Sequence, residues 1–192
     1  MIKYILHGGY TRVDNELNRS FFREILRDVP EGGKILIVLF AVVNPDTNKD
    51  ELFDSLVQKI KEQADDKSIS FAQATDAGFE QQLLEASAVY IHGGNTPTLL
   101  TVLKNYPNLK DKFQSKTIAG SSAGAYALAT YCSAHTEEHV REGLAILPIR
   151  LVCHFESLEL PPSETSLAEL RNADASLELI CLNDCEWRVI KT

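Results

Sequence analysis

Positive charge is scarce in this chain: 19 Lys and Arg stand against 27 Asp and Glu, for a formal net charge of −8 over 192 residues. No cluster of basic residues occurs along it, so the electrostatic footprint of a nucleic-acid binder is missing and no nucleic-acid partner is expected. Long apolar runs are missing too. No stretch approaches the roughly 20 residues of a membrane span, which excludes a membrane-embedded function of that kind. The opening MIKYILHGGY lacks the basic region, the apolar length and the cleavage site of a secretory signal, and a cytoplasmic location is expected. Cysteine is limited to Cys132, Cys153, Cys181 and Cys185. Cys181 and Cys185 have no matching Cys or His pair at zinc-ligand spacing, so the reading is reduced, mostly buried thiols and no metal. Low-complexity runs, linkers and repeats are absent as well. With 44% hydrophobic and 24% charged residues, the composition is that of a folded globular protein, and one domain over residues 1–192 accommodates it.

What is present is dominated by one segment. Ile118 to Thr130 reads IAGSSAGAYALAT, a short apolar strand that breaks into Gly120-Ser121-Ser122-Ala123-Gly124 and runs straight into an alanine-rich helical stretch. This is the pattern of a nucleophile elbow, G-x-S-x-G, which lifts a serine hydroxyl above a sheet edge. The central residue of so sharp a turn is strained, and its neighbours two places away must lack bulk. That condition selects Ser122, flanked by Gly120 and Gly124, over Ser121, flanked by Ala119 and Ala123. The bland reading of the same string is close packing at a strand-to-helix junction.

Apolar runs of strand length alternate with longer amphipathic stretches. Lys3 to Leu6 precedes Asn15 to Val29, Lys34 to Val43 precedes Lys49 to Gln63, and Ile69 to Ala72 stands alone. Ala88 to His92 precedes Thr98 to Asn105, and Thr117 to Gly120 precedes Ala123 to Thr130. This rhythm predicts an α/β fold, a mostly parallel sheet with helices on both faces. Asp14, and Asp46 or Thr47, are expected N-caps, and Thr96-Pro97 places proline in a first turn. Beyond Tyr131 come short runs at Leu144 to Leu147 and Leu151 to Phe155, then a helix near Glu164 to Arg171. Leu177 to Leu182 and Trp187 to Ile190 are expected to form a closing hairpin. Two strands end in a glycine pair, at Gly8-Gly9 and at Gly93-Gly94. In a parallel sheet both fall on the carboxyl edge, where open α/β folds bind ligands. An N–H from the Gly93-Gly94 loop and the N–H of Ala123 are positioned to receive a developing oxyanion.

A serine nucleophile needs a base, and the base needs an orienting acid. Of His7, His92, His135, His139 and His154, the last is favoured because it ends the apolar run Leu151 to Cys153. His7 and His92 read as strand-end residues, and His135 and His139 lie in a polar, acidic stretch. Among acids after His154, Asp184 is favoured, with Glu156, Asp174 and Glu186 as rivals. The chain order Ser122, His154, Asp184 differs from the serine, acid, histidine order of an α/β-hydrolase. A glutaminase of the amidotransferase type would need cysteine where Ser122 stands.

The combination of Gly93-Gly94-Asn95-Thr96-x-x-Leu99-Leu100, Gly120-x-Ser122-Ala123-Gly124-Ala125, Gly143-Leu144-x-x-Leu147-Pro148 with His154-Phe155, and Leu182-x-Asp184 before Trp187 resembles the serine peptidase family of aspartyl dipeptidase (peptidase E) and cyanophycinase. The resemblance implies a flavodoxin-like sheet related to class I glutamine amidotransferases. It implies Ser122 as nucleophile, His154 as base, and oxyanion donors at Gly94 and Ala123. Asp184 matches a position that is often glutamate in the family. Gly93 and Asn95 are expected to contact substrate, no cofactor is expected, and the partner implied is a small peptide, with a homodimer left open. The helix after the histidine carries one arginine, in Ser163 to Arg171, where family members acting on aspartyl peptides carry several, so aspartyl specificity is not implied. Arg12, Arg141 and Arg150 are the candidates to replace them. The function expected is cleavage of a peptide or amide bond through an acyl-enzyme. The alternative is a non-catalytic or regulatory protein that binds a ligand at the glycine-lined edge.

Overall fold

A computed structural model describes residues 1–135 and 139–192. Its main sheet is built from β1 (Lys3–His7), β2 (Lys34–Val38), β3 (Ser70–Gln73), β4 (Ala88–Ile91), β5 (Thr117–Ser121) and β10 (Trp187–Lys191), in the order β10-β1-β5-β4-β2-β3. All neighbouring pairs are parallel except β10 with β1. Every residue of β1, β4 and β5 is buried, as expected for parallel strands covered on both faces. Side chains alternate between two cores. Tyr4, Leu6, Leu36 and Val38 pack on one side with α3 (Phe79–Glu85), α4 (Thr96–Leu103) and α6 (Ala123–Leu128). Ile5, Ile35 and Ile37 pack on the other with α1 (Glu16–Leu26) and α2 (Lys49–Lys61). The short α5 (Leu109–Lys112) and α3 lie in connections that the apolar rhythm did not mark as helical.

Helix starts fall one or two residues later than the expected caps. Asn15, and not Asp14, accepts from the Asn18 N–H, and Asn48, in place of Asp46 or Thr47, accepts from Asp50 and Glu51. The capping oxygen must sit directly before the first turn, and in both cases asparagine holds that place. Pro97 does lie in the first turn of α4.

Two further expectations are corrected. The helix after the elbow stops at Leu128, and β6 (Ala129–Cys132) follows at once. It founds a second sheet with β7 (Arg141–Glu142), β8 (Leu147–Val152) and β9 (Glu178–Cys181), in the order β7-β6-β8-β9. The helix α7 (Glu164–Asn172) joins β8 to β9. The closing hairpin does not exist. β9 lies parallel to β8 in the second sheet, while β10 runs antiparallel to β1 in the first. Both edges offered a full ladder of partners, and pairing with each leaves the turn from Asn183 to Glu186 bridging the two sheets. That turn carries Asp184.

Candidate active site

The strands β4, β5 and β1 lie side by side and parallel, so the loops after Ile91, Ser121 and His7 emerge together at one edge. Ser122 leaves β5 with φ 50° and ψ −112°, outside the regions that side-chain-bearing residues favour. The flanking glycines are there for close approach. A Cβ on Gly120 would lie 2.5 Å from the Gly124 carbonyl carbon, and one on Gly124 would lie 2.0 Å from the Ile91 oxygen. Bulk at either position would therefore force strand and helix apart. Ala123 is the first residue of α6, so its N–H has no partner within the helix. The glycine loop after β4 packs against the serine: a Cβ on Gly93 would lie 3.2 Å from Ser122 Cβ.

His154 stands two residues beyond β8, with φ 56°, its N–H donating to the Gly8 carbonyl at 3.1 Å. Its Nδ1 lies 2.5 Å from Asp184 Oδ1 and its Nε2 lies 3.0 Å from Ser122 Oγ. An ionised carboxylate only accepts, so Nδ1 carries the proton and Nε2 presents a lone pair to the serine hydroxyl, which donates to it. Burial pushes the His154 pKa below its ordinary 6.5, opposed by the hydrogen bond and charge of Asp184. The ring is therefore neutral at pH 7. Such an arrangement can take a proton from Ser122 as its oxygen attacks a carbonyl.

The rival acids are engaged elsewhere. Glu186 accepts from the Asn183 N–H at 2.9 Å within its own turn, and Asp174 accepts from the Ser176 hydroxyl and N–H. Glu156 is exposed. Among the other histidines, His92 lines the cleft and donates from Nδ1 to the Gly93 carbonyl, which leaves its ring turned back on its own loop. His139 is exposed beside Glu169, and the segment between His135 and His139 falls outside the described residues.

Ser122 and His154 open onto a cleft of about 400 Å³, which also takes in Gly93, Gly94, Arg12 and Arg141. Asn95 is not among the residues lining it. Its side chain caps α4, accepting from the Thr98 N–H and hydroxyl. Arg150 is likewise turned away from the cleft. Its guanidinium donates to the carbonyls of Leu170, Arg171 and Ala173 at the end of α7 and to that of Leu177, so it serves as an internal clamp. Tyr10, which the sequence reading did not single out, and His135, which it assigned to a polar, acidic stretch, both line the cleft. Tyr10 presents an edge to the His154 ring at 5.4 Å between centroids, and its hydroxyl donates to Glu159. Its place directly after Gly8-Gly9 was an available signal. His135 lies 5.3 Å from the His154 ring, brought there by tertiary packing from a stretch with the composition of a solvated loop.

An α/β sheet with a strained serine at its carboxyl edge, in line with a neutral imidazole and a carboxylate, is the architecture of a serine-type hydrolase. The chain belongs to peptidase family S51, whose family model matches residues 5–191, and it is a serine-type peptidase. Solved structures agree in fold. That of a peptidase from an acI-B1 Actinobacterium superposes with a TM-score of 0.73 at 20% identity, over 100% of this chain and 84% of that one. That of a candidate peptidase E protein from Listeria monocytogenes EGD-e gives 0.68 at 14% identity, over 100% of this chain and 98% of the other. No curated protein matches the sequence.

Proposed function

We propose that this peptidase cleaves a small peptide or amide bond through an acyl-enzyme, with Ser122 as nucleophile, His154 as general base and Asp184 as the orienting acid. The observation that carries the reading is the unbroken hydrogen-bond path from Asp184 Oδ1 through the His154 ring to Ser122 Oγ, at 2.5 and 3.0 Å. Ser122 Oγ attacks the scissile carbonyl while His154 Nε2 takes its proton. The N–H groups of Gly94 and Ala123 receive the oxyanion. His154 then protonates the leaving amine, the C–N bond breaks, and the acyl group stays on Ser122. Water, deprotonated by the same Nε2, attacks the ester; the bond from the acyl carbon to Ser122 Oγ breaks, Oγ takes the proton back from His154, and the acid is released. Asp184 accepts from Nδ1 and stabilises the imidazolium formed in each half-reaction. The size of the cleft favours a short peptide, with Gly93 as part of its wall.

A fluorophosphonate label followed by peptide mapping tests this. The wild-type enzyme is expected to be labelled at Ser122, Ser121→Ala to be labelled as well, and Ser122→Ala not at all, with its melting temperature kept. Labelling that survives Ser122→Ala would overturn the assignment. A wild-type protein that resists the label altogether would favour the non-catalytic alternative at this site.

A further inference from the structure

Of the buried titratable side chains that the mechanism above leaves unused, His7 adjoins the site. His7, the last residue of β1, is fully buried, and both of its ring nitrogens are engaged. Nδ1 accepts from the Gly9 N–H at 3.0 Å, and Nε2 lies 2.8 Å from Asn18 Oδ1 on α1. An amide oxygen accepts and a backbone N–H donates, so the two contacts demand a neutral ring with its proton on Nε2. The Asn18 amide nitrogen donates in turn to the Tyr10 carbonyl at 2.9 Å and to the Val13 carbonyl at 2.6 Å. Burial holds the His7 pKa down to about 4, so the ring remains an acceptor for Gly9 at neutral pH. A buried polar network of this kind rigidifies its surroundings when each member is satisfied.

What this network rigidifies is the segment from which the site hangs. The carbonyls of His7, Gly8 and Gly9 accept, in that order, from the N–H groups of Ser122 at 2.9 Å, His154 at 3.1 Å and Cys185, next to Asp184, at 3.0 Å. Three consecutive carbonyls thus hold the elbow, the histidine loop and the acid turn. Gly9 has φ 115°, and a Cβ on it would fall 2.0 Å from His154 Cε1, so the imidazole rests directly on this backbone.

We propose that His7 and Asn18 form a positioning unit for the site, clamping Gly9 and Tyr10 from behind so that the His7–Gly9 backbone holds Ser122, His154 and Asp184 in line. The inference rests on the roles proposed above for those three residues. Neither His7 nor Asn18 lines the cleft, so the unit acts through the geometry of the others and not on substrate.

Two replacements separate positioning from packing. His7→Asn sets an amide group near the place of Nδ1 and keeps an acceptor for Gly9, whereas His7→Gln reaches toward Asn18 and gives up the Gly9 contact. The probe is a fluorophosphonate, whose limiting labelling rate reads the activation of Ser122 and whose half-saturating concentration reads binding. His7→Gln should lower the limiting rate by about 100-fold, the scale of an ångström's misplacement. The half-saturating concentration should hold within about twofold. His7→Asn should recover most of the lost rate. Asn18→Ala, should His7→Gln fail to fold, is expected to lower the limiting rate about 10-fold by freeing the His7 ring and the Tyr10 carbonyl. A folded His7→Gln or Asn18→Ala labelled at the wild-type rate, or equal losses in His7→Gln and His7→Asn, would sink the inference while leaving the role of Ser122 intact. Failure of the wild-type protein to label would sink both.

Discussion

His154 is set by burial against charge. Desolvation drives its pKa below 6.5, and Asp184 pulls it back. A base must be neutral to work, so the rate should fall as pH drops through the His154 pKa, with a midpoint on the acid limb below about 6.5. In Asp184→Asn the opposing charge is gone, and the midpoint should move lower still. The same substitution should reduce turnover by up to about 10,000-fold, the cost of neutralising an equivalent acid. Glu186→Gln should stay near the wild-type rate, because a glutamine oxygen can also accept from the Asn183 N–H. Pre-steady-state acylation across pH for the three proteins checks both statements. A midpoint above 6.5, or the reverse ranking of the two variants, contradicts them.

At the scale of elements, the site depends on the joint between β5 and α6 and on what ties α6 to the second sheet. Gly124→Ala places a methyl group against the Ile91 carbonyl, where the ideal Cβ position is 2.0 Å from the oxygen. Overpacking of this kind costs about 3 kcal/mol or more when backbone must move, and urea unfolding should register it together with loss of labelling. Tyr126 supplies the tie. Its hydroxyl accepts from the Cys153 N–H at 2.9 Å and lies 2.9 Å from Ser133 Oγ, joining α6 to the residue before His154. Tyr126→Phe leaves the buried Cys153 N–H unpaired, at a cost of about 1–3 kcal/mol. Denaturant midpoints measure it; an unchanged midpoint would show that the chain finds another acceptor.

For the whole molecule, His7 couples stability to pH. Its folded pKa of about 4 lies below the ordinary 6.5, so the unfolded chain binds a proton between those values that the folded protein refuses. The contribution is complete above pH 6.5 and is lost as pH falls from 6.5 toward 4, by about 3 kcal/mol in all. Urea midpoints at pH 7 and pH 4.5 should therefore separate further for the wild-type protein than for His7→Asn, which has no such group. Equal separations would mean that His7 is protonated without unfolding. The main sheet, sealed at one edge by β10 against β1, and the second sheet meet at the turn from Asn183 to Glu186, so one segment binds the end of the chain to the site.

Local pattern was enough to read the parallel sheet with helices on both faces, because continuous apolar strands and amphipathic stretches follow from burial on two faces or one. It was enough to place Ser122, and not Ser121, at the centre of the strained turn, since the steric demand of the elbow acts within five residues. His154 and Asp184 were legible only as residues of the right type at strand ends. The distances that align them with Ser122 arise from β10 pairing with β1, β8 pairing with β9, and the Gly8 and Gly9 carbonyls holding the His154 and Cys185 N–H groups, all between segments far apart in sequence. For the same reason the expected hairpin between Leu177 and Ile190 was misread: adjacent strands in sequence pair when no better edge is free, and here two better edges were. His135 entered the cleft, and Arg150 left the list of substrate contacts, through packing that no local spacing encodes. Asn95 went to a helix cap for a local reason that Thr96-Pro97 had already signalled. Periodicity and steric exclusion act between near neighbours and can be read from the chain. The alignment of a hydroxyl, an imidazole and a carboxylate to within a few tenths of an ångström depends on contacts between residues tens of positions apart, and only the folded molecule contains them.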